Sequence, residues 1–217
     1  RLESRAGVGA HKVALRIPYR ETIRRVASAQ GRHKKQTGGA GQYGDCWLRV
    51  EPNPDAGYEF VDEVVGGHIP RGFIPAIDKG VQETMREGVL AGYPMIDIKV
   101  AVYEGSYHPV DSNEMAFKTA ARIGFQKAID QAEPVLLEPM AHLKITVPDS
   151  YAGSVMGDVS ASRGRVEGMN AGTGTALGQT TIEATVPYAE VTDYATRLRS
   201  LSRGTGEYEV ELSGYEQ

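Results

Sequence analysis

The clearest pattern of hydrophobic and polar positions lies between Met95 and Tyr103. Every second residue of this run is apolar, at Ile96, Ile98, Val100 and Val102. A period of two residues is typical of a strand with one buried face. We therefore predict a strand over residues 95–103 that packs on a core by its apolar side.

Two longer runs have the helical period instead. Over residues 75–87, one helical face carries Ile77, Val81, Thr84 and Met85. The proline that opens this run suits the first turn of a helix, and Gly88 suits the C-terminal stop. A second helix is predicted over residues 112–131, with Asp111 as its N-cap and Glu114 reaching back to that cap.

The last third of the chain alternates strands and helices in a definite order. Strands are predicted at residues 143–147, 165–169, 180–186 and 207–212, and helices at 151–161 and 188–201. The order β-α-β-β-α-β within about 75 residues is that of a ferredoxin-like domain, with both helices on one face of an antiparallel sheet. The predicted fold class is α+β.

A proline-flanked segment, residues 134–139, separates this part from the preceding one. Neither proline allows a helix to continue through it, so the segment predicts a short, stiff connector between two domains. We place the domains at residues 1–138 and 139–217.

Composition narrows the class of protein. Hydrophobic residues make up 41% of the chain and charged residues 24%, which is ordinary for a globular protein. No apolar run approaches the roughly 18 residues of a membrane span, and no signal peptide opens the chain. The single cysteine, Cys46, excludes an internal disulfide and a cysteine-based zinc site. We expect a cytoplasmic protein, and the start at Arg1 suggests a fragment.

Charge is uneven along the chain. The net charge is −4, whereas dedicated nucleic-acid-binding proteins are usually basic. Between residues 20 and 36, however, one acidic residue stands among Arg20, Arg24, Arg25, Arg32, Lys34 and Lys35. Such a run is either a solvated edge or a surface that contacts phosphates.

Two polar segments contain the candidate chemistry. The first, residues 36–44, has four glycines but lacks the Gly-Lys-Ser/Thr ending of a phosphate loop. It also precedes a strand rather than a helix N-terminus, which argues against a mononucleotide site. It is either a flexible turn between strands or an exposed tip that contacts RNA.

The second segment, residues 105–111, joins the predicted strand to the second helix. Its Tyr107 and His108 either form an ordinary polar turn or stack on bases and bond to phosphate and 2′-hydroxyl groups. Ser106, His108 and Asp111 are residue types of a hydrolase triad, but triad members usually come from separate elements. The five histidines of the chain show no metal-ligand spacing.

Many ordered motifs resemble bacterial elongation factor G. In the first part they are residues 19–23 (YRETI), 35–44 (KQTGGAGQYG), 66–70 (GGHIP), 74–80 (IPAIDKG), 90–94 (LAGYP), 105–108 (GSYH) and 134–139 (PVLLEP). In the second part they are residues 157–158 (GD), 163–164 (RG), 168–169 (GM), 186–187 (VP), 194–196 (YAT) and 198–202 (LRSLS). The resemblance covers nearly the whole chain.

This resemblance implies the fold of the fourth and fifth domains of that family. The fourth is an elongated β-α-β domain with a left-handed crossover, shared with a small-subunit ribosomal protein, and residues 1–18 would lead into it. The fifth is the ferredoxin-like domain. The resemblance also implies a monomer that has no catalytic site, metal or cofactor in this part, while an absent N-terminal domain binds GTP and magnesium.

The function implied is translocation on the ribosome. The tip of the fourth domain would enter the small-subunit decoding region and accompany transfer RNA and messenger RNA as they move. The implied RNA-binding residues are Gln36, Gly38, Gly39, Gly41, Gln42, Tyr43, Ser106, Tyr107 and His108, with Arg32, Lys34 and Lys35 beside them. Arg163 and Arg165 would contact the factor-binding region of the large subunit.

The chain departs from the family pattern in two places. Pro109 stands where the family commonly has aspartate, and Ala161 and Ser162 replace arginines often found before Arg163. These departures keep an alternative open, which is a paralogue that acts in ribosome recycling, rescue or tetracycline-type ribosomal protection.

Overall fold

The computed structural model describes residues 17–36, 39–171 and 178–217. Within them the chain divides into two compact units, one of residues 19–137 and one of residues 138–217, with which residues 17–18 are grouped. Both units pack helices on a β-sheet, so the fold class is α+β. Residues 1–18 are predicted to lead into the first domain, and residues 1–16 of that segment lie outside the described residues.

The first unit is built on a mixed sheet. Its elements are β1 Arg20–Ile23, β2 Ala27–Lys35, β3 Gln42–Pro52, β4 Glu59–Asp62, α1 Ile74–Glu87, β5 Ile98–Ser106 and α2 Glu114–Gln131. The strand order in the sheet is β2-β3-β5-β4. β4 and β5 are parallel and are connected through α1, while the other neighbours are antiparallel. This β-α-β unit is the one that the resemblance implied.

The core of the first unit lies between this sheet and its two helices. Leu48 and Val100 of the sheet belong to the same hydrophobic cluster as Phe117 and Phe125 of α2, and all four side chains are fully buried. α2 lies close to β2 because glycines face each other. A Cβ on Gly31 would come within 1.8 Å of the Ala120 carbonyl oxygen. Only a residue without a side chain allows this approach of helix and strand.

Glu21 connects β1 to the loop that follows α1. The backbone N–H groups of Val89 and Leu90 each donate to its Oε1 at 2.8 Å, and those of Ala91 and Tyr93 donate to Oε2 at 2.7 and 3.0 Å. The side chain is fully buried. Burial raises the pKa of this carboxyl, but the four hydrogen bonds favour the charged form and the net pKa is lowered.

The second unit has the order predicted for a ferredoxin-like domain. Its first strand is β6, Pro134–Pro148, which belongs to this unit from residue 138 onward. The other elements are α3 Ala152–Ala161, β7 Arg165–Ala171, β8 Gln179–Pro187, α4 Tyr194–Leu201 and β9 Glu207–Glu216. All pairs in the sheet order β9-β6-β8-β7 are antiparallel. Val155 of α3 and Leu198 of α4 pack on Leu143, Ile145 and Ile182, so both helices cover the same face.

Several sequence predictions need correction. α2 begins at Glu114, and its N-cap is Asn113, whose Oδ1 accepts the Ala116 N–H at 2.7 Å. The predicted cap Asp111 is therefore wrong, as is the role of Glu114 in the cap. The predicted strand over residues 95–103 begins instead at Ile98, because Asp97 has a positive φ of 59°.

The segment 134–139, predicted as a stiff connector between two domains, contains the boundary between the units after Leu137, but it is the beginning of strand β6 rather than a separate linker. Its first residues pair with β1, from Arg20 opposite Leu137 to Ile23 opposite Pro134. The helix predicted over residues 188–201 is a short 3-10 turn, Tyr188–Glu190, followed by α4. Within the described residues, no helix qualifies as a membrane-spanning segment.

Candidate nucleic-acid interface

Two loops of the first unit lie against each other at one end of the sheet. One connects β2 to β3 and the other connects β5 to α2. The Tyr43 N–H donates to the Asp111 carbonyl oxygen at 2.9 Å, and Ser112 Oγ donates to the Tyr43 carbonyl oxygen at 2.8 Å. We call the described residues of these loops, namely 36, 39–43 and 106–112, the tip. The two polar segments that the sequence treats separately are therefore one surface.

Glycine is required where the chain after the first loop packs on α2, and it also leaves room where the two loops meet. A Cβ on Gly41 would lie 2.6 Å from the carboxylate of Asp111. A Cβ on Gly44 would lie 2.4 Å from the Ala116 carbonyl oxygen in α2. The glycines of the first loop therefore allow it to pack on the second loop and on the helix behind it.

Tyr43 occupies the centre of the tip. Its hydroxyl forms a 2.7 Å hydrogen bond with Ser106 Oγ. The guanidinium carbon of Arg32 lies 5.5 Å from the centroid of the Tyr43 ring, within the range of a cation–π contact. The imidazole of His108 lies 6.4 Å from the same ring, with the ring planes inclined by 49°. The aromatic ring is thus flanked by two residues that can bind phosphate.

His108 has a defined orientation. Its Nδ1 accepts the backbone N–H groups of Val110 at 3.1 Å and Asp111 at 3.0 Å. A ring nitrogen that accepts hydrogen bonds carries no proton, so the neutral imidazole has its proton on Nε2. The side chain is 44% exposed. The Nε2–H group is therefore available as a hydrogen-bond donor at the surface.

The hydroxyl of Ser106 is not arranged for nucleophilic attack. It donates to Asp45 Oδ2 at 2.6 Å and lies beside the hydroxyl of Tyr43. Nδ1 of His108 is occupied by backbone donors, and the nearest oxygen of Asp111 is 3.7 Å from it. The geometry is that of a hydrogen-bonded loop rather than that of a Ser-His-Asp triad.

The other predicted tip residues differ in exposure. Gln36, Gly39 and Tyr107 are exposed, Tyr107 with 47% of its surface. Gln42 is partly buried, and its Oε1 is 2.7 Å from His33 Nε2. Gly38, also predicted for this surface, lies outside the described residues.

Comparison with known proteins identifies the class to which this fold and tip belong. The family model for elongation factor G, domain IV, matches residues 15–133, which is more than half of the chain. The model for the elongation factor G C-terminus matches residues 135–217. The chain belongs to the elongation factor G family. It is therefore a member of a translation elongation factor family, and the resemblance noted in the sequence is confirmed.

A solved structure shares the fold of this chain. The crystal structure is that of a protein from Thermus thermophilus. Its sequence is 45% identical to that of this chain, and the two structures superpose with a TM-score of 0.83. The match covers 94% of this chain and 30% of the Thermus protein. The chain therefore spans about a third of the length of that relative. The family matches of this chain are to domain IV and the C-terminus, and neither is a GTPase domain.

The basic residues predicted for the interface in this elongation factor G chain separate into two groups. Arg32, Lys34 and Lys35 are exposed on the half of β2 next to the tip. Arg24 and Arg25 precede the other end of that strand. Because strands rise about 3.3 Å per residue, Arg25 and Lys35 are roughly 30 Å apart. The basic run in the sequence is therefore not one patch.

Arg163 and Arg165 of the second unit are held by acidic side chains. Arg163 donates from both terminal nitrogens to Glu138, at 2.7 and 3.2 Å. Arg165 pairs in the same way with Glu216, at 3.1 and 2.8 Å. More than half of each arginine side chain remains exposed. A ligand of these arginines would have to share them with the glutamates.

Sequence reasoning missed Asp45 and Gln30, which lie behind the tip. Gln30 Nε2 donates to Asp45 Oδ1 at 2.6 Å, and Asp45 is 7% exposed. Asp45 stands opposite Ser106 in the pairing of β3 with β5. The two residues are 61 positions apart, and no local pattern indicates this pairing. Cys46 beside them is buried, and burial, with a contribution from the charge of Asp45, raises its pKa to about 12, so the thiol is unreactive.

Proposed function

We propose that this chain is the ribosome-binding C-terminal part of a GTP-dependent elongation factor. In this proposal the tip enters the decoding region of the small subunit and promotes movement of transfer RNA and messenger RNA. One observation supports it above the others, namely that two loops distant in sequence form a single tip. There the imidazole of His108, which is partly exposed and whose Nδ1 accepts backbone N–H groups, and the guanidinium of Arg32 both lie against the ring of Tyr43.

The chemistry of the tip suits RNA of any sequence. A guanidinium, an imidazole N–H and tyrosine hydroxyls can bind phosphates and ribose hydroxyls, which are the same in every codon. Lys34 and Lys35 add positive charge on the strand that leads to the tip. A factor that acts on every codon needs such contacts and must avoid reading base edges.

The remaining parts of the proposal concern the intact protein. GTP and magnesium would bind a GTPase domain other than the two units described, and this part would have no catalytic role. Arg163 and Arg165 would contact the large subunit. The protein would act in the cytoplasm, as a monomer, on ribosomes that carry transfer RNA and messenger RNA.

Two substitutions at His108 test the proposal in the full-length protein. His108→Ala removes both the Nε2–H donor and the Nδ1 acceptor. His108→Asn retains an acceptor, since an asparagine Oδ1 commonly receives the N–H groups two and three residues ahead. We expect both variants to slow translocation by about tenfold to a hundredfold, because a hydrogen bond to a charged group contributes about 1.5–3 kcal/mol. Single-turnover translocation and ribosome-dependent GTP hydrolysis should be measured together.

A matched control is His68→Ala. His68 is an exposed histidine of the same unit, and its Nδ1 is paired with Glu104 at 2.8 Å. This variant should translocate at the wild-type rate. Wild-type translocation by both His108 variants would refute the RNA contact. Slow translocation by His108→Ala, with a wild-type rate for His108→Asn, would show that His108 orders the loop and does not itself bind RNA.

A further inference from the structure

A chain of hydrogen bonds runs from the partly buried Gln30 through the buried Asp45 to the tip. Gln30 Nε2 donates to Asp45 Oδ1 at 2.6 Å, and Ser106 Oγ donates to Asp45 Oδ2 at 2.6 Å. Ser106 Oγ is in turn 2.7 Å from the hydroxyl of Tyr43. Asp45 is buried, while Tyr43 is partly exposed. The chain therefore connects a buried carboxylate to the central ring of the tip.

The carboxylate fixes the direction of these hydrogen bonds. An ionised aspartate only accepts, so the single hydroxyl hydrogen of Ser106 is committed to Asp45. The lone pairs of Ser106 then remain for Tyr43, whose hydroxyl must donate. A buried carboxylate is costly unless its oxygens are hydrogen bonded, and both oxygens of Asp45 are. The burial of Asp45 is thus offset by the two bonds that orient its neighbours.

The ring that this chain holds is in contact with both candidate phosphate-binding side chains. Arg32 lies over Tyr43 at 5.5 Å and His108 lies beside it at 6.4 Å. The backbone of Tyr43 also bonds to Asp111 and Ser112 in the second loop. A displacement of the ring would therefore move the groups on both sides of it.

We propose that Asp45 is a positioning residue of the tip. Through Ser106 it holds the hydroxyl of Tyr43, and through the ring of Tyr43 it sets the places of Arg32 and His108. This inference rests on the proposed function of the tip. It adds that the geometry of the tip depends on a charge that RNA does not touch.

The test is Asp45→Asn in the full-length protein. Asparagine has nearly the same volume, but one acceptor oxygen becomes an NH2 donor. That donor can reverse the chain, so that Ser106 donates to Tyr43 and the hydroxyl of Tyr43 no longer has a fixed direction. We expect translocation to slow by roughly tenfold, the change that about 1.4 kcal/mol produces. Ribosome-dependent GTP hydrolysis should remain at the wild-type level.

Asp78→Asn is a closely matched control in the same unit. Asp78 Oδ1 accepts the hydroxyl of Tyr58 at 2.5 Å and Gln82 Nε2 at 2.9 Å. It therefore resembles Asp45 in binding one hydroxyl and one glutamine amide, but it lies in α1, outside the tip. We expect this variant to lose thermal stability similar to that lost by Asp45→Asn and to translocate normally.

A double-mutant cycle separates positioning from general stability. If Asp45 acts through the hydroxyl of Tyr43, Asp45→Asn should cause no further slowing in a Tyr43→Phe background. If Asp45→Asn slows translocation equally in the wild-type and the Tyr43→Phe backgrounds, the proposal is overturned. It is also overturned if Asp45→Asn translocates at the wild-type rate while His108→Ala is slow. In that last case the function of the tip would stand. A wild-type rate for both His108 variants would remove the proposed function and this inference together.

A second variant covers the case in which Asp45→Asn does not fold. Ser106→Ala removes the hydroxyl that connects Asp45 to the hydroxyl of Tyr43. Ser106 is partly exposed, and Asp45 keeps the hydrogen bond from Gln30. It should also slow translocation roughly tenfold. The same cycle with Tyr43→Phe then decides the proposal by the same criteria.

Discussion

At the scale of single residues, Glu21 illustrates how a buried charge can organise backbone. Four backbone donors in the loop after α1 converge on its two oxygens. Gly88 permits this arrangement, since it has φ of 79° and a Cβ there would lie 2.9 Å from Glu21 Oε2. Without Glu21 these partly buried amides would lose their acceptors, at a cost of up to about 1–3 kcal/mol for each group.

Glu21→Gln should therefore destabilise the chain in a pH-dependent way. An amide places an NH2 group against backbone donors, so we expect the free energy of unfolding to fall by about 2–4 kcal/mol at neutral pH. The pKa of Glu21 is lowered from the ordinary value of 4.5. Its stabilisation is therefore complete above that value and is lost as the pH falls through the lowered pKa. Urea unfolding between about pH 7 and pH 3 should show the gap between wild type and variant narrowing in acid.

The control for this prediction is Glu59→Gln, at an exposed ion pair 3.7 Å from Lys99. We expect a change of less than about 1 kcal/mol, as is usual for exposed pairs. A constant gap between wild type and Glu21→Gln at every pH would show that the charge of Glu21 is not the cause of the stabilisation.

At the scale of elements, the sequence predicts where a helix or strand lies better than it predicts the residues at which that element begins and ends. The apolar faces of α1, α2 and β5 are strongly periodic, and the structure has all three. The predicted start of α2 is wrong because Asp111 and Asn113 are both good N-caps. The choice depends on Tyr43, whose N–H binds the Asp111 carbonyl oxygen, and Tyr43 is 68 positions away in the chain.

The beginning of β6 escapes prediction for a similar reason. Two prolines close together normally argue against a strand. Pro134 is the first residue of the strand, where the missing N–H is tolerated, and its neighbours find partners in β1. Those partners lie more than 100 residues earlier in the chain, so no local pattern indicates the pairing.

Two helical glycines allow a direct comparison of packing with helix propensity. In both Gly124→Ala in α2 and Gly157→Ala in α3, alanine gains up to about 1 kcal/mol of helix propensity. A Cβ on Gly124 would lie 2.8 Å from the Gly31 backbone nitrogen, whereas a Cβ on Gly157 would meet nothing within 4 Å. We expect Gly157→Ala to raise the free energy of unfolding and Gly124→Ala to lower it by about 1–3 kcal/mol. Stabilisation by both changes, measured by urea unfolding, would contradict the close packing of α2 on β2.

At the scale of the whole molecule, net charge is a poor guide to the proposed partner. The chain has a net charge of −4, yet Arg32, Lys34 and Lys35 are exposed together next to the tip. In the second unit, acidic residues lie on β9 at Glu207, Glu209 and Glu211. Each part of the chain therefore has its own electrostatic character, and the average describes neither.

The tip is only partly predictable from the sequence. Its two loops and most of its exposed side chains are identified there as two separate segments. The contacts that make them one surface, between Tyr43 and the residues Ser106, Asp111 and Ser112, join positions more than 60 apart. Asp45 has no visible role in the sequence, because an aspartate in a strand is informative only when its cross-strand partner is known.

The separation of charge leads to a prediction about salt. Each lysine that neutralises an RNA phosphate steepens the fall of log K with log salt by about 0.7–0.9. If Lys34 and Lys35 both do so, Lys34→Ala with Lys35→Ala should lower the slope for ribosome binding by about 1.5. The control pair Lys79→Ala with Lys127→Ala removes the same charge from exposed positions on α1 and α2. It should leave the slope unchanged. Equal slopes for both double variants, in binding assays across several salt concentrations, would show that β2 contributes only diffuse charge.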